Sequence, residues 1–161
     1  LGWEPDPRSL LENPRLVADH LEPFADLIRG ARSFWERAGA LWGATVRVVH
    51  RQTQADSRSR RLIVAYEWLC ADPLPRFQDL YRRLDLTWTP GAERFIRSSD
   101  TDADPRTYSM RRPTARQIDK WKQGLAPEDI EACRRFAEPF GLPYYPGFEP
   151  RVGSFAGDRP E

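Results

Sequence analysis

The sequence predicts an α/β protein that is mostly helical, with one clear β-strand at residues 62–66. Apolar residues recur at intervals of three and four through most of the chain, which is typical of amphipathic helices. The run at 62–66 is instead continuous and apolar, as strands are when a parallel sheet buries both of their faces. One strand cannot form a sheet, so either its partner strands lie mostly outside this sequence or the segment is not a strand. We predict the first.

The N-terminal part predicts two helices. Asn13-Pro14 begins the first, because Asn is a good N-cap and Pro suits the first helical position. Pro23 predicts a kink or break in that helix. The second helix is predicted from about Arg32 to about Gln52. Its expected core residues are Phe34, Leu41, Trp42 and Val49.

Further helices are predicted toward the C-terminus, each with a start or stop signal. Asp72-Pro73 and Thr89-Pro90 begin two of them, and Thr114 with Gln117 fits a capping box for a third. The last runs from Pro127 to Phe140 and ends at Gly141. We assign residues 1–148 to a single domain and 149–161 to a loose tail.

Composition excludes several classes of protein. Of the 161 residues, 40% are hydrophobic and 30% are charged, which suits one folded core rather than a disordered tail. No apolar run is long enough for a membrane span, and no segment resembles a signal peptide. Cys70 and Cys133 cannot make a disulfide framework or a four-ligand zinc site, so we expect a reducing, cytoplasmic setting. Because the sequence begins at Leu1 rather than Met, we interpret it as a fragment or a processed product.

The basic residues are concentrated in one segment. The whole chain carries a net charge of +1, yet residues 106–122 contain six basic residues and one acidic residue. Arg111 and Arg112 precede the predicted helix start at Thr114, and guanidinium groups beside a helix N-terminus form a good phosphate site. The alternative is a solvated basic face.

The residues alone show no complete catalytic apparatus. His20 and His50 lie far apart in sequence and form no ligand-spaced cluster with the cysteines, so we expect no metal site. We expect His20, on an apolar helix face, to be buried and hydrogen-bonded. The sequence has no nucleophile elbow and no Walker-type phosphate loop.

A family resemblance adds to this reading. The segment Tyr66–Pro73, with an amphipathic helix and Leu84–Leu86 after it, is similar to the strand-to-helix segment of the sulfotransferase family. The family's later features, a Ser/Thr turn, a basic loop and a Trp-Lys helix, have counterparts in the same order: Ser98-Ser99, Arg111-Arg112 and Trp121-Lys122. The start of the chain also resembles bacterial members just after their 3′-phosphate-binding strand. The chain is thus similar to the C-terminal portion of a bacterial-type sulfotransferase.

The resemblance implies a fold and a co-substrate. The fold is related to the P-loop kinases, with a parallel sheet between helices, and the co-substrate is 3′-phosphoadenosine 5′-phosphosulfate (PAPS). The acceptor is a hydroxyl or an amine on a small molecule, a glycan or a lipid. The family's phosphosulfate loop and catalytic base lie before the matched region. We therefore expect this chain to act with an upstream part of the same enzyme and to be inactive alone, with its catalytic residues unknown.

The resemblance also implies roles for individual residues. Tyr66 corresponds to the tyrosine that contacts the adenine, and Ser98 or Ser99 would lie near the adenosine. Two adjacent guanidinium groups, Arg111 and Arg112, would hold the 3′-phosphate, with Arg116 as the substitute candidate.

Two other functions remain open. The first is a non-catalytic helical interaction module whose binding face carries Trp35 and Trp42. The second is a helical domain that binds nucleic acid, which the near-zero net charge opposes.

Overall fold

The computed structural model describes residues 2–55, 62–99, 118–143 and 145–148, and in this part of the chain all regular secondary structure is helical. The chain divides into two compact units, one of residues 1–63 and 125–149 and the other of residues 64–124 and 150–161. The α-helices, in chain order, are α1 (Pro14–Leu16), α2 (Ala25–Gly30), α3 (Phe34–Ala55), α4 (Tyr66–Ala71), α5 (Pro73–Arg83), α6 (Pro90–Ser99), α7 (Lys120–Gly124) and α8 (Pro127–Ala137). Shorter helical segments are the 3₁₀ turns Pro7–Glu12, Glu22–Phe24, Glu138–Phe140 and Pro146–Phe148 and the π-helical turn Val17–Leu21. None of the described helices is long and apolar enough to cross a membrane.

The first unit is organised by the long helix α3, which packs along α8. The α3 residues buried at this contact are all small: Gly39, Ala40, Gly43 and Ala44. Small side chains let two helix backbones approach closely, and the larger core side chains come from the surrounding segments. Fully buried side chains of this core are Leu21, Ile28 and Phe140.

Each end of α3 is fixed by a specific contact. Ser33 and Glu36 form a capping box: the Glu36 N–H donates to the Ser33 hydroxyl at 3.2 Å, and the Ser33 N–H donates to the Glu36 carboxylate at 3.0 Å. Toward the other end, the Arg47 guanidinium lies 4.7 Å from the centre of the Phe24 ring and donates to the Phe140 carbonyl oxygen at 3.0 Å. This anchors α3 to the turn that follows α8.

The second unit contains α4, α5 and α6, with α5 in contact with both of the others. Its small core is built on Trp68 and Ala65, against which Leu80 packs. The Arg76 guanidinium lies 4.8 Å from the centre of the Trp68 ring. The predicted helix starts are confirmed, because Pro73 and Pro90 are the first residues of α5 and α6.

The predicted β-strand at 62–66 is wrong. Residues 62–65 have no regular secondary structure, and Tyr66 is the first residue of α4. The Trp68 N–H donates to the Ala65 carbonyl oxygen at 3.1 Å, so Ala65 caps a helix. A short apolar run looks the same in sequence whether it forms a buried strand or leads into a helix. The described residues contain no neighbouring strand that could pair with the backbone of this run. The α/β class and the P-loop-kinase-like sheet are therefore corrected to an all-helical architecture in the described residues.

The predicted core face of α3 is also wrong in part. Phe34 is 36% exposed and Val49 is 48% exposed, whereas Leu41 and Trp42 are half-buried. The packing against α8 selects the face with the smallest residues rather than the one with the largest. The assignment of 1–148 to one domain stays a prediction, and the tail at 149–161 lies outside the described residues.

Candidate functional site

Tyr66, the predicted adenine contact, occupies the first position of α4. Its side chain is 59% exposed, although the apolar residues before it favour burial. An exposed ring on a helix start presents an aromatic face on which a nucleobase can stack. Tyr66 therefore lies at an exposed helix start, and its contact with adenine stays a prediction.

Ser98 and Ser99, the predicted adenosine neighbours, are the last two residues of α6. Both hydroxyls donate to the carbonyl oxygen of Phe95, at 2.9 Å and 2.8 Å. To donate to a ligand, either hydroxyl would have to rotate away from that carbonyl. Their oxygen atoms can accept a hydrogen bond without this change.

The three basic candidates, Arg111, Arg112 and Arg116, lie outside the described residues. The nearest described part of the predicted basic segment is α7. There the Lys122 ammonium lies 5.5 Å from the centre of the Trp121 ring and 3.0 Å from the Asp119 carboxylate. Of the six predicted site residues, Tyr66 and the two serines therefore have described positions, and all three belong to the second unit.

A second candidate site lies in the first unit, where the sequence predicted none. A cleft of about 590 Å³ is lined by Asn13, Arg15, Leu16, Asp19, His20, Gln52 and Ala55. The Arg15 guanidinium lies 3.7 Å from the Asp19 carboxylate, so the two opposite charges are paired at the edge of the cleft. The Asn13 side-chain oxygen accepts the Leu16 N–H at 3.1 Å and fixes the start of α1.

His20 differs from the expectation of a buried, hydrogen-bonded histidine. The residue is half-buried, and its Nδ1 atom is buried without a hydrogen-bond partner among the described residues. The backbone around it is π-helical, with the Glu22 N–H donating to the Val17 carbonyl oxygen five residues back. The sequence contains the asparagine, proline and histidine of this segment. It carries no local pattern that predicts the extra residue of the π-helical turn.

The described titratable groups include one histidine with a shifted pKa. Partial burial, and then the positive charges of Arg51 and Arg47, lower the pKa of His50 below its usual value. Both effects favour the neutral imidazole of His50 over its charged form. No group of three or more His, Cys, Asp or Glu side chains in the described ranges is placed to hold a metal ion.

Comparison with known proteins gives one informative match. The chain is similar to carbohydrate sulfotransferase 3 of Tetronarce californica, with 26% identity over 84 residues, which is 51% of this chain. No family model matches the chain, and no solved structure matches it. The matched part spans 19% of the length of that relative. The similarity indicates a relationship between this chain and the sulfotransferases.

Proposed function

We propose that this chain is part of a sulfotransferase that moves a sulfuryl group from PAPS to a hydroxyl or amine acceptor. The chain supplies the side of the site that binds adenosine and the 3′-phosphate, together with part of the acceptor pocket. The acceptor is a small molecule, a glycan or a lipid. The matched relative is a carbohydrate sulfotransferase, which favours a carbohydrate acceptor.

The observation that carries the proposal is the placement of Tyr66. This residue opens the Tyr-Glu-x-Leu segment that resembles the family, and its ring is exposed at the start of α4. A tyrosine needed only for the core of this unit would be buried, as Trp68 is two residues later. The similarity to a sulfotransferase supports the same conclusion from a separate comparison.

In the proposed reaction, this part of the enzyme binds the nucleotide and compensates its negative charge. In the transfer, the bond between sulfur and the phosphate oxygen breaks, a bond from sulfur to the acceptor oxygen or nitrogen forms, and the acceptor loses a proton. Such a displacement depends on positioning and on stabilising the charge of the leaving nucleotide. In the proposal, Tyr66 orients the adenine, and Arg111 and Arg112 neutralise the 3′-phosphate.

Removal of the Tyr66 ring tests the adenine contact. Stacking on an aromatic side chain contributes about 1–3 kcal/mol per base, so Tyr66→Ala should weaken nucleotide binding by roughly 5- to 150-fold. Calorimetry with adenosine 3′,5′-bisphosphate and with adenosine 5′-phosphosulfate should show the same loss for both ligands, because both carry the adenine. Tyr66→Phe, which keeps the ring, should bind normally.

Trp3→Ala is the matched control, since Trp3 is also an exposed aromatic residue but lies in the other unit. The adenine role would be disproved by a Tyr66→Ala protein that binds both nucleotides as tightly as the unmodified chain does.

One observation favours the alternative of a helical interaction module. Trp3 is 70% exposed and lies 6.1 Å from the Phe34 ring, which in turn lies 4.8 Å from the Trp35 ring. This aromatic cluster is partly open to solvent. Trp42 does not extend it as a free face, because its ring packs against Tyr145 at 4.9 Å. Capture of a partner protein that depends on Trp3 and Trp35 would support the module.

A further inference from the structure

The helix that carries Tyr66 is too short to hold its own orientation. An isolated helix of six residues is not stable in water, so the orientation of α4 depends on the side chains that pack against it. The largest buried side chain of α4 is Trp68, which is 6% exposed. The direction in which Tyr66 points therefore depends on what holds Trp68.

Helix geometry links the directions of these two aromatic side chains. Successive residues of an α-helix are turned by about 100°, so residues two apart differ by about 200° and project from opposite sides. Trp68 accordingly lies in the core of the second unit, whereas Tyr66 is 59% exposed. A rotation of α4 that moves the Trp68 ring in this core also turns the Tyr66 side chain in solvent.

Two residues of α5 hold Trp68 in place. The Arg76 guanidinium lies 4.8 Å from the centre of the Trp68 ring, and Leu80 packs against the same small core. Arg76 and Leu80 are four residues apart, so they share one face of α5. A cation is attracted to the face of an aromatic ring, most strongly to that of tryptophan. Arg76 therefore restrains the orientation of the Trp68 ring in addition to covering it.

Burial alone does not favour an arginine at position 76. The Nη1 atom of Arg76 is buried and has no hydrogen-bond partner among the described residues. Burying part of a charged group without a hydrogen bond costs free energy, whereas an unbranched apolar side chain would cover Trp68 without that cost. What the arginine adds over such a side chain is the attraction to the face of the ring.

We propose that Arg76 is a positioning residue for the nucleotide. Through Trp68, it orients α4 so that the Tyr66 ring can stack on the adenine, and Arg76 itself does not touch the nucleotide. This role rests on the proposed function, because it requires Tyr66 to contact the adenine. The effect of Arg76 on nucleotide affinity should therefore disappear when the Tyr66 ring is removed.

A double-mutant cycle of Arg76 and Tyr66 tests this role by calorimetry. Arg76→Met should weaken adenosine 3′,5′-bisphosphate and adenosine 5′-phosphosulfate alike by roughly 2- to 30-fold, the range that a cation–π contact can contribute. In the Tyr66→Ala background, Arg76→Met should change neither affinity, because the ring that it positions is gone. An equal loss in both backgrounds, or a loss confined to the nucleotide with the 3′-phosphate, would show direct contact with the ligand and overturn the proposal.

Matched variants separate positioning from a general effect on the fold. Arg76→Lys, which keeps a cation beside the ring, should retain most of the affinity. Arg82→Met is the control, since Arg82 lies on the same helix with its side chain 75% exposed and pairs with Asp79 at 2.8 Å; it should leave the affinity unchanged. If Arg76→Met does not fold, Trp68→Phe, which weakens the cation–π contact but keeps an aromatic ring, is taken through the same cycle with the same expectation.

The outcomes distinguish this role from the proposed function. A lower free energy of unfolding in Arg76→Met with both affinities unchanged would show a purely structural role and refute the positioning. If Tyr66→Ala weakens both nucleotides and Arg76→Met weakens neither, the proposed function survives and this inference fails. If Tyr66→Ala binds both nucleotides normally, the adenine contact fails, and the positioning role fails with it.

Discussion

Gly39 of α3 lies directly against the backbone of Cys133 in α8. A Cβ atom added at Gly39 would come within 3.0 Å of the Cys133 Cα and closer still to its carbonyl oxygen. Backbone atoms cannot move aside as a flexible side chain can, so the helices would have to separate. Gly43, one turn later, has the same relation to α8, where an added Cβ would lie 3.1 Å from the Ala137 carbonyl oxygen.

Gly39→Ala should therefore destabilise the protein, although alanine is the better helix former. We expect a loss of about 1–3 kcal/mol in the free energy of unfolding, because overpacking of a tight contact outweighs the gain in helix propensity. Chemical denaturation measures it. Gly30→Ala is the control, since an added Cβ there meets nothing within 4 Å and should leave stability unchanged or slightly raised. Equal effects of the two substitutions would show that α3 and α8 are not in close contact.

Glu36 predicts a pH dependence of stability. The backbone N–H groups of Ser33 and Arg32, followed by the Arg135 guanidinium, lower the pKa of this carboxyl below its ordinary value of 4.5. A carboxyl with a depressed pKa in the folded state stabilises that state fully above pH 4.5, and the contribution is lost as the pH falls through the depressed value. Glu36→Gln should thus be less stable than the unmodified protein by about 1 kcal/mol at pH 7.

The difference between Glu36→Gln and the unmodified protein should shrink below pH 4.5 and vanish once the carboxyl is protonated in the folded protein. Unfolding curves recorded at several pH values check this. Glu12→Gln, at an exposed carboxyl of the same unit, serves as the comparison and should change little at any pH. A Glu36→Gln difference that is the same at pH 7 and pH 3 would contradict the capping role.

Truncation of Trp42 tests whether this half-buried residue contributes to the core of the first unit. A fully buried tryptophan would lose about 3–5 kcal/mol of stability on truncation to alanine. Trp42 is half-buried and packs on Tyr145 at 4.9 Å, so we expect about 2 kcal/mol. Trp3→Ala, at a ring 70% exposed, should cost less than about 0.5 kcal/mol. A loss below about 1 kcal/mol for Trp42→Ala would instead favour the partner-surface interpretation of this residue.

The sequence predicted helix starts and stops well because their signals are local. Proline at the first helical position marked α5 and α6. Gly141 ends the 3₁₀ turn Glu138–Phe140, which follows α8, with a φ of 64°, a left-handed conformation that glycine adopts without strain. The sequence also contains the Ser33–Glu36 capping box, as Ser-x-x-Glu, and this local signal coincides with the start of α3.

The errors concern features that depend on distant partners. Whether the apolar run at 62–66 becomes a strand depends on a neighbouring strand, which no local pattern contains. The buried face of α3 follows from how closely α8 approaches, and a periodicity that weights large residues overlooks Gly39 and Gly43. The cleft around His20 requires α1 and the end of α3 to meet, so spacing along the chain could not reveal it.

The most direct test of the proposed function is the binding of two nucleotides that differ in the 3′-phosphate. Calorimetry should show that Arg111→Ala and Arg112→Ala each weaken adenosine 3′,5′-bisphosphate by roughly 10- to 150-fold, since a charge-assisted contact contributes about 1.5–3 kcal/mol. Adenosine 5′-phosphosulfate, which lacks the 3′-phosphate, should bind all three proteins alike. An equal loss for both nucleotides, or no loss for either, would contradict the assignment of these arginines, and Arg116→Ala would then be measured against the same pair.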